Sequence, residues 1–191
     1  MKFCVRRKPF HGYKECGDRC FIKEFNRKTL VAVIDGLGHG RSAEDAAVKA
    51  FEYLKKDYHL SLSEIFRGCN EFLKRTVGAA MGIALIDHEN CCITFAGIGN
   101  ISGRVVGERS FSLMSDFGIV GAGIRKVKVE TRPFEHANML IMHSDGISER
   151  FDVSSYSEEV RSDPRRLAEA ISREVSRSND DSIIVVGRVV E

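Results

Sequence analysis

Four aspartates occupy positions suited to metal chemistry. They are Asp18 in Cys16-Gly17-Asp18, Asp35 in Val31-Ala32-Val33-Ile34-Asp35-Gly36-Leu37-Gly38-His39-Gly40, Asp145 in His143-Ser144-Asp145-Gly146, and Asp180 in Asn179-Asp180-Asp181-Ser182. Three of them directly flank an apolar run of strand character. A carboxylate at a strand end, beside residues that let the backbone turn tightly, is how oxygen-lined cages for hard divalent cations are built. An all-oxygen donor set favours Mg²⁺ or Mn²⁺ over Zn²⁺. Two such ions a few ångströms apart can drive phosphate-ester hydrolysis with little further help from the protein. Converging carboxylates repel, so the cluster is either loaded with cations or carries raised pKa values.

Each motif has a plainer reading. The glycine loop after Asp35 resembles an anion-cradling turn ahead of a helix. It has no Gly-Lys-Ser/Thr ending, and its spacing does not match a dinucleotide loop. An aspartyl-phosphate mechanism needs a second aspartate two positions after the first, where Leu37 stands. Taken alone, the loop could simply be a turn. His39, inside it, is the one histidine with a candidate role, assisting a leaving group or contacting phosphate, against that of a solvated loop residue. His143 ends an apolar strand and reads as packed; His11, His59, His88 and His136 read as surface. At the last motif Asp180 is the candidate and Asp181 the fallback.

The elements that must position these residues follow from periodicity. Strand-like runs span Phe3–Arg7, Cys20–Phe25, Thr29–Ile34, Ala79–Ile86, Cys91–Ile98, Ser102–Val106, Phe111–Met114, Val127–Thr131, Met139–His143 and Ser182–Val190. Helical spacing of apolar residues marks Ser42–Tyr58, Leu62–Lys74 and Pro164–Ser176, the last with Asp163 as N-cap and Pro164 at the first turn. On the second, Ile65, Phe66, Cys69, Phe72 and Leu73 form the apolar face. Without regular strand–helix alternation, the order indicates α+β with antiparallel sheets covered by helices. Neighbouring antiparallel strands share an edge of a sheet, which can gather Asp35, Asp145 and Asp180 at one rim.

Length and composition fit a single domain over 1–191 with a real core: 43% of residues are hydrophobic and 29% charged. A net charge of +2 gives no field for nucleic acid or anionic membrane. The short basic clusters read as solvated faces. No stretch approaches a membrane span and no leader pattern opens the chain, so a cytoplasmic location is expected. The six cysteines then read as reduced, buried thiols. Cys16 and Cys20 lack partners at zinc-ligand spacing, and adjacent Cys91 and Cys92 should face opposite sides of one strand.

In order along the chain, Cys16-Gly17-Asp18, Ala32 to Gly40, Gly78-Ala79-Ala80-Met81, Gly97-Ile98-Gly99-Asn100, Gly118-Ile119-Val120-Gly121, His143 to Gly146 and Asn179 to Ser182 resemble the metal-dependent protein phosphatases of the 2C type. The likeness is specifically to small bacterial members with a SpoIIE-like domain. It implies a four-layer α-β-β-α sandwich of two antiparallel sheets flanked by helices. It also implies Mn²⁺ or Mg²⁺ as cofactor, with two ions and room for a weaker third. Asp35 would bridge the ions, the Gly36 carbonyl would help hold one, Asp145 and Asp180 would complete the set, and Asp18 would act through a metal-bound water. The implied reaction is in-line attack of a bridging water or hydroxide on a phosphoserine or phosphothreonine polarised by both metals, with no phosphoenzyme. Implied substrates are phosphorylated STAS-domain proteins of a stressosome-like complex, met by a monomer. The opening motif departs from larger relatives: Arg6, Arg7, Lys8 and Arg19 lie nearby with no assignable phosphate-binding role. The segment Phe117–Ile124 is short where larger relatives carry a flap, which implies open access. A non-catalytic phosphoprotein-binding module and a small-molecule phosphohydrolase on the same fold are the alternatives.

Overall fold

A computed structural model describes residues 1–124, 126–135, 138–177 and 179–189. Its elements are β1 (Lys2–Lys8), β2 (Asp18–Phe25), β3 (Lys28–Gly36), α1 (Arg41–Asp57), α2 (Leu62–Phe72), β4 (Ala79–Asp87), β5 (Cys92–Ile98), β6 (Ser102–Val106), β7 (Phe111–Leu113), β8 (Glu130–Pro133), β9 (Met139–His143), α3 (Glu158–Ser162), α4 (Pro164–Val175) and β10 (Ser182–Arg188). The strands make two five-stranded antiparallel sheets, ordered β1-β10-β9-β6-β7 and β2-β3-β4-β5-β8.

Strand alternation divides the apolar residues among three cores. On β3, Leu30, Ala32 and Ile34 face α1 and α2, while Val31 and Val33 face the other sheet. On β10, Ile184 and Val186 meet Leu167, Ala168 and Ile171 of α4, while Ile183 and Val185 point between the sheets. The result is the expected four-layer α-β-β-α sandwich. Central strands buried on both faces explain why β3, β9 and β10 read as unbroken apolar runs.

Local chemistry sets the helix ends. Asp163 accepts the Arg165 N–H at 2.8 Å with Pro164 in the first turn, as the sequence indicates. Ser61 and Glu64 form a reciprocal capping box at the start of α2. α1 starts without a side-chain cap, at Gly40, whose φ of 72° closes the glycine loop.

Several expectations are corrected. The strand expected over Val127–Thr131 lies at Glu130–Pro133, because the Lys128 N–H is taken by Asp116 Oδ2 at 3.0 Å rather than by a ladder partner. Cys91 is in a left-handed turn conformation, φ 48°, so β5 begins at Cys92 and the pair does not alternate across a strand. Cys91 is exposed, unlike buried Cys16 and Cys69. Phe72 is 49% exposed rather than on the buried face of α2. His88 is half-buried, and its ring nitrogen lies 2.7 Å from the hydroxyl of buried Thr29. A one-turn helix at Val153–Ser155 and α3 were not anticipated. Val190 and His136 lie outside the described residues.

Candidate metal centre

The aspartates are supplied in two pairs, one from each sheet. Asp18 opens β2 and is paired directly with Asp35 near the end of β3. Asp145 follows β9 and Asp180 precedes β10; these strands are antiparallel neighbours with His143 opposite Ile184, so both aspartates emerge at one end. A rim on one sheet was the expectation, yet Asp35 belongs to the other sheet. The sandwich, rather than strand adjacency alone, brings the two pairs together.

Side chains sew the two rims. The Ser144 hydroxyl donates to Asp18 Oδ2 at 2.7 Å and accepts the Ile183 N–H at 3.1 Å. The Asp181 carboxylate accepts the Gly17 N–H at 2.9 Å and the Phe10 N–H at 2.8 Å. Asp181 is therefore committed to holding the backbone that leads into Asp18. Its neighbour Asp180 is half-exposed, engaging the Asp181 N–H through one oxygen at 2.9 Å. Two glycines are needed for close approach. A Cβ on Gly36 would sit 2.0 Å from the Ala43 carbonyl oxygen, and one on Gly146 would sit 1.8 Å from that of Asp181.

Electrostatics register the crowding. Burial pushes the Asp18 carboxyl well above the ordinary range; the Ser144 hydroxyl pulls it partly back, and Asp181, Asp180 and Asp145 push it up again. Asp35 is raised further, by burial first and then by the charges of Asp18, Asp145 and Asp180, with a hydrogen bond from the Asn100 side chain opposing. Asp180 is raised by burial and by Asp145, with Arg177 opposing. For Asp18, Asp35 and Asp180, burial and like charge favour either a bound proton or a countercharge.

Do these residues fit divalent cations? The donors are all hard oxygens, and Asp18 Oδ1 is buried with no hydrogen-bond partner. An acceptor desolvated and left unpaired costs about 1–3 kcal/mol unless something cationic or protic meets it. Among the described residues, no three His, Cys, Asp or Glu side chains close on a single point. The fit thus rests on donor type, repulsion and the orphaned oxygen.

The remaining candidates separate clearly. His39 is exposed and packs with the loop after β1, its ring 5.1 Å from Phe10 and 5.0 Å from Tyr13. His143 is buried, its Nδ1 2.9 Å from the Ser144 carbonyl, and its ring meets Phe151 edge-on; burial holds its pKa down. Arg7 donates to the Cys16 carbonyl at 2.8 Å, and Arg7 and Arg19 both approach Glu44, at 3.9 and 3.5 Å. Arg6 pairs with Glu169. Arg7 and Lys8 are exposed, as a solvated face requires, while Arg6, Arg7 and Arg19 also pair with acidic neighbours. Sequence reasoning assigned no role to Ser144 or Asn100, although both lie within the quoted motifs.

The family model for Stage II sporulation protein E (SpoIIE) matches residues 26–189. The chain belongs to this family. A SpoIIE-type chain with this sandwich has the fold of the 2C-type phosphatases, as the motif order implied. The phosphoserine phosphatase RsbX of Bacillus subtilis (strain 168) is 25% identical over 183 residues, 93% of this chain and 89% of RsbX. A solved structure from work on the bacterial stressosome as a modular system adapted to control secondary messenger signaling superposes with a TM-score of 0.90. It is 25% identical, over 97% of this chain and 98% of that one. RsbX in complex with magnesium gives a TM-score of 0.86 at 22% identity, over 98% and 94%. Among the described residues, no helix is long and apolar enough to cross a membrane.

Proposed function

We propose that this SpoIIE-type chain is a Mn²⁺- or Mg²⁺-dependent serine/threonine protein phosphatase acting on phosphorylated STAS-domain proteins of a stressosome-like complex. One observation carries the reading: the two sheets deliver four mutually repelling aspartates to one rim, with a buried carboxylate oxygen there left without a partner. Relatives that include a phosphoserine phosphatase and a structure from stressosome work support the substrate class. The magnesium complex of RsbX supports the cofactor.

Asp35 with the Gly36 carbonyl, Asp145 and Asp180 would hold the ions, and Asp18 would orient water beside them. Bound there, the ions supply charge to neutralise the phosphoryl oxygens and to ionise the attacking water. The chain does the rest through position. Ser144 fixes the rotamer of Asp18, Asn100 bonds Asp35, and Asp181 pins the Gly17 turn, so the carboxylates are set before substrate arrives. Cys16 and Cys69 are buried, with thiol pKa values pushed up to about 11 and about 12, which keeps them protonated and out of nucleophilic chemistry.

The deciding experiment is phosphate release from a phosphorylated STAS-domain protein, with Mn²⁺, with Mg²⁺ and with chelator. Metal-dependent release is expected; release unaffected by chelator would overturn the metal assignment. Release from phosphometabolites but not from the phosphoprotein would favour a small-molecule phosphohydrolase.

A further inference from the structure

A cleft of about 520 Å³ opens beside the aspartate rim, with Asn100 and Asp145 in its wall. Its outer part is built from β6, the end of β7 and the loop after β9. Three arginines line it: Arg104, Arg150 and Arg177. Among the described residues none of the three makes an ion pair, as is also true of scattered exposed arginines such as Arg27 and Arg67; these three differ in sharing one cleft. The one other carboxylate lining the cleft, Glu149, is engaged by the Ser102 hydroxyl.

The arginines are spread along the cleft. Arg177 is near enough to Asp180 to oppose the rise in its pKa, and its N–H is tied to the Gly146 carbonyl at 2.8 Å. Arg104 lies opposite Ile141 on β6, two residues farther from the rim than Ser102, which faces His143. Its guanidinium lies over the Phe151 ring at 5.2 Å, which fixes the group while leaving its N–H donors free. Arg150 is exposed in the loop between them. Met114, 74% exposed, adds an apolar contact in the same wall. Guanidinium forks held in a cleft and left without carboxylate partners are suited to bidentate recognition of carboxylates.

We propose that this cleft is a specificity subsite that binds an acidic stretch of the substrate chain flanking the phosphorylated residue. The inference rests on the phosphatase reading and adds to it a sequence preference. A chain whose phosphoserine reaches Asp145 enters the arginine-lined part of the cleft with its next residues. Aspartates or glutamates there complete ion pairs that the free protein leaves open, and Met114 contacts an intervening apolar side chain.

The test uses two peptides of equal length, one with Asp and Glu next to the phosphoserine and one with Asn and Gln there. Binding is read by fluorescence anisotropy on their non-hydrolysable phosphonate analogues, with Mn²⁺ present. Wild type should prefer the acidic peptide by roughly tenfold at low salt, and less as salt screens the pairs. Arg150→Ala should reduce the preference severalfold, Arg150→Lys should keep part of it, and Arg104→Ala combined with Arg150→Ala should bring the ratio close to one. Because the readout is a ratio within each protein, a general loss of affinity in a variant does not mimic the result. Equal affinity of wild type for both peptides, or an unchanged ratio in the double variant, would overturn the subsite. Phosphate release from the corresponding phosphoserine peptides is measured in parallel. Its complete absence with either metal would overturn the phosphatase reading, while the anisotropy ratio still decides the cleft.

Discussion

The two aspartate pairs reach the same rim in different surroundings. Asp18 and Asp35, side by side on β2 and β3, are held in low-dielectric surroundings that push their carboxyls upward, and Asp18 is wholly buried. Asp145 and Asp180, on the connections of β9 and β10, keep partial exposure, as Asp35 does, so Asp18 is the one of the four that is wholly enclosed. The first pair is thus the costly half of the site, kept in place by the fold. The second pair is the accessible half, beside the open cleft. The neighbours Asp180 and Asp181 show the same contrast over a single peptide bond. Asp181 spends both oxygens on backbone N–H groups of distant segments, and Asp180 spends one on its neighbour. Adjacent carboxylates of equal charge thus differ in how many acceptors the fold leaves open.

The largest effect should come from the pair on β2 and β3. Asp35→Asn is expected to cut phosphate release by about 10³-fold or more, on the scale of losing an electrostatic element of an active site. It should also raise the melting temperature of the metal-free protein, since a carboxylate with a raised pKa opposes folding at neutral pH. Lower stability in that variant would break the contrast between the pairs. Next, Asp181→Ala should destabilise the fold by about 2–4 kcal/mol in chemical denaturation, because it leaves the buried Gly17 N–H and the half-buried Phe10 N–H unpaired. Asp180→Ala should leave stability nearly unchanged and weaken metal binding; the reverse pattern would exchange their roles. Ser144→Ala should cost about 1–3 kcal/mol, since Asp18 and the Ile183 N–H both lose their partner.

A pH series sharpens the same comparison. Asp18 and Asp35 have folded-state pKa values above those of the unfolded chain, so between the two values the folded state holds the extra protons. The contribution of these two groups to metal-free stability is therefore full below the ordinary carboxylate range and is lost as pH rises through neutrality. The slope is at most about 1.4 kcal/mol per pH unit for each carboxylate. Mg²⁺ or Mn²⁺ should flatten that slope; an equal slope with and without metal would contradict the account. The smallest effect is expected at His39. His39→Ala removes stacking on Phe10 and a tilted contact with Tyr13, worth about 0.5–1.5 kcal/mol, and should change turnover by only a few-fold.

Much of this was legible in the sequence, for physical reasons. The apolar runs of β3, β9 and β10 are buried on both faces, and each Asp-Gly pair marks a place where backbone approaches backbone too closely for a Cβ. Asp163-Pro164 announced the start of α4 because capping is local chemistry. The missing parts are those where distant residues decide. Ser144 and Asp18 lie 126 positions apart, and Gly17 and Asp181 lie 164 apart. No periodicity encodes such bonds, so the division of labour between Asp180 and Asp181 could not be read. β8 was misplaced because Val127, although apolar, packs on the helix-side core from an irregular segment. Cys91 was misread because the Asp87 carboxylate, accepting from the Glu89 and Asn90 N–H groups, holds the turn open for one residue more.

The most direct measurement is a calorimetric titration of Mn²⁺ into the wild-type protein and into Asp35→Asn at neutral pH. The account predicts saturable binding to wild type with release of protons from the buried carboxylates, and loss of most of that binding in the variant. Indistinguishable isotherms for the two proteins, or no binding to wild type, would contradict the four-aspartate metal centre.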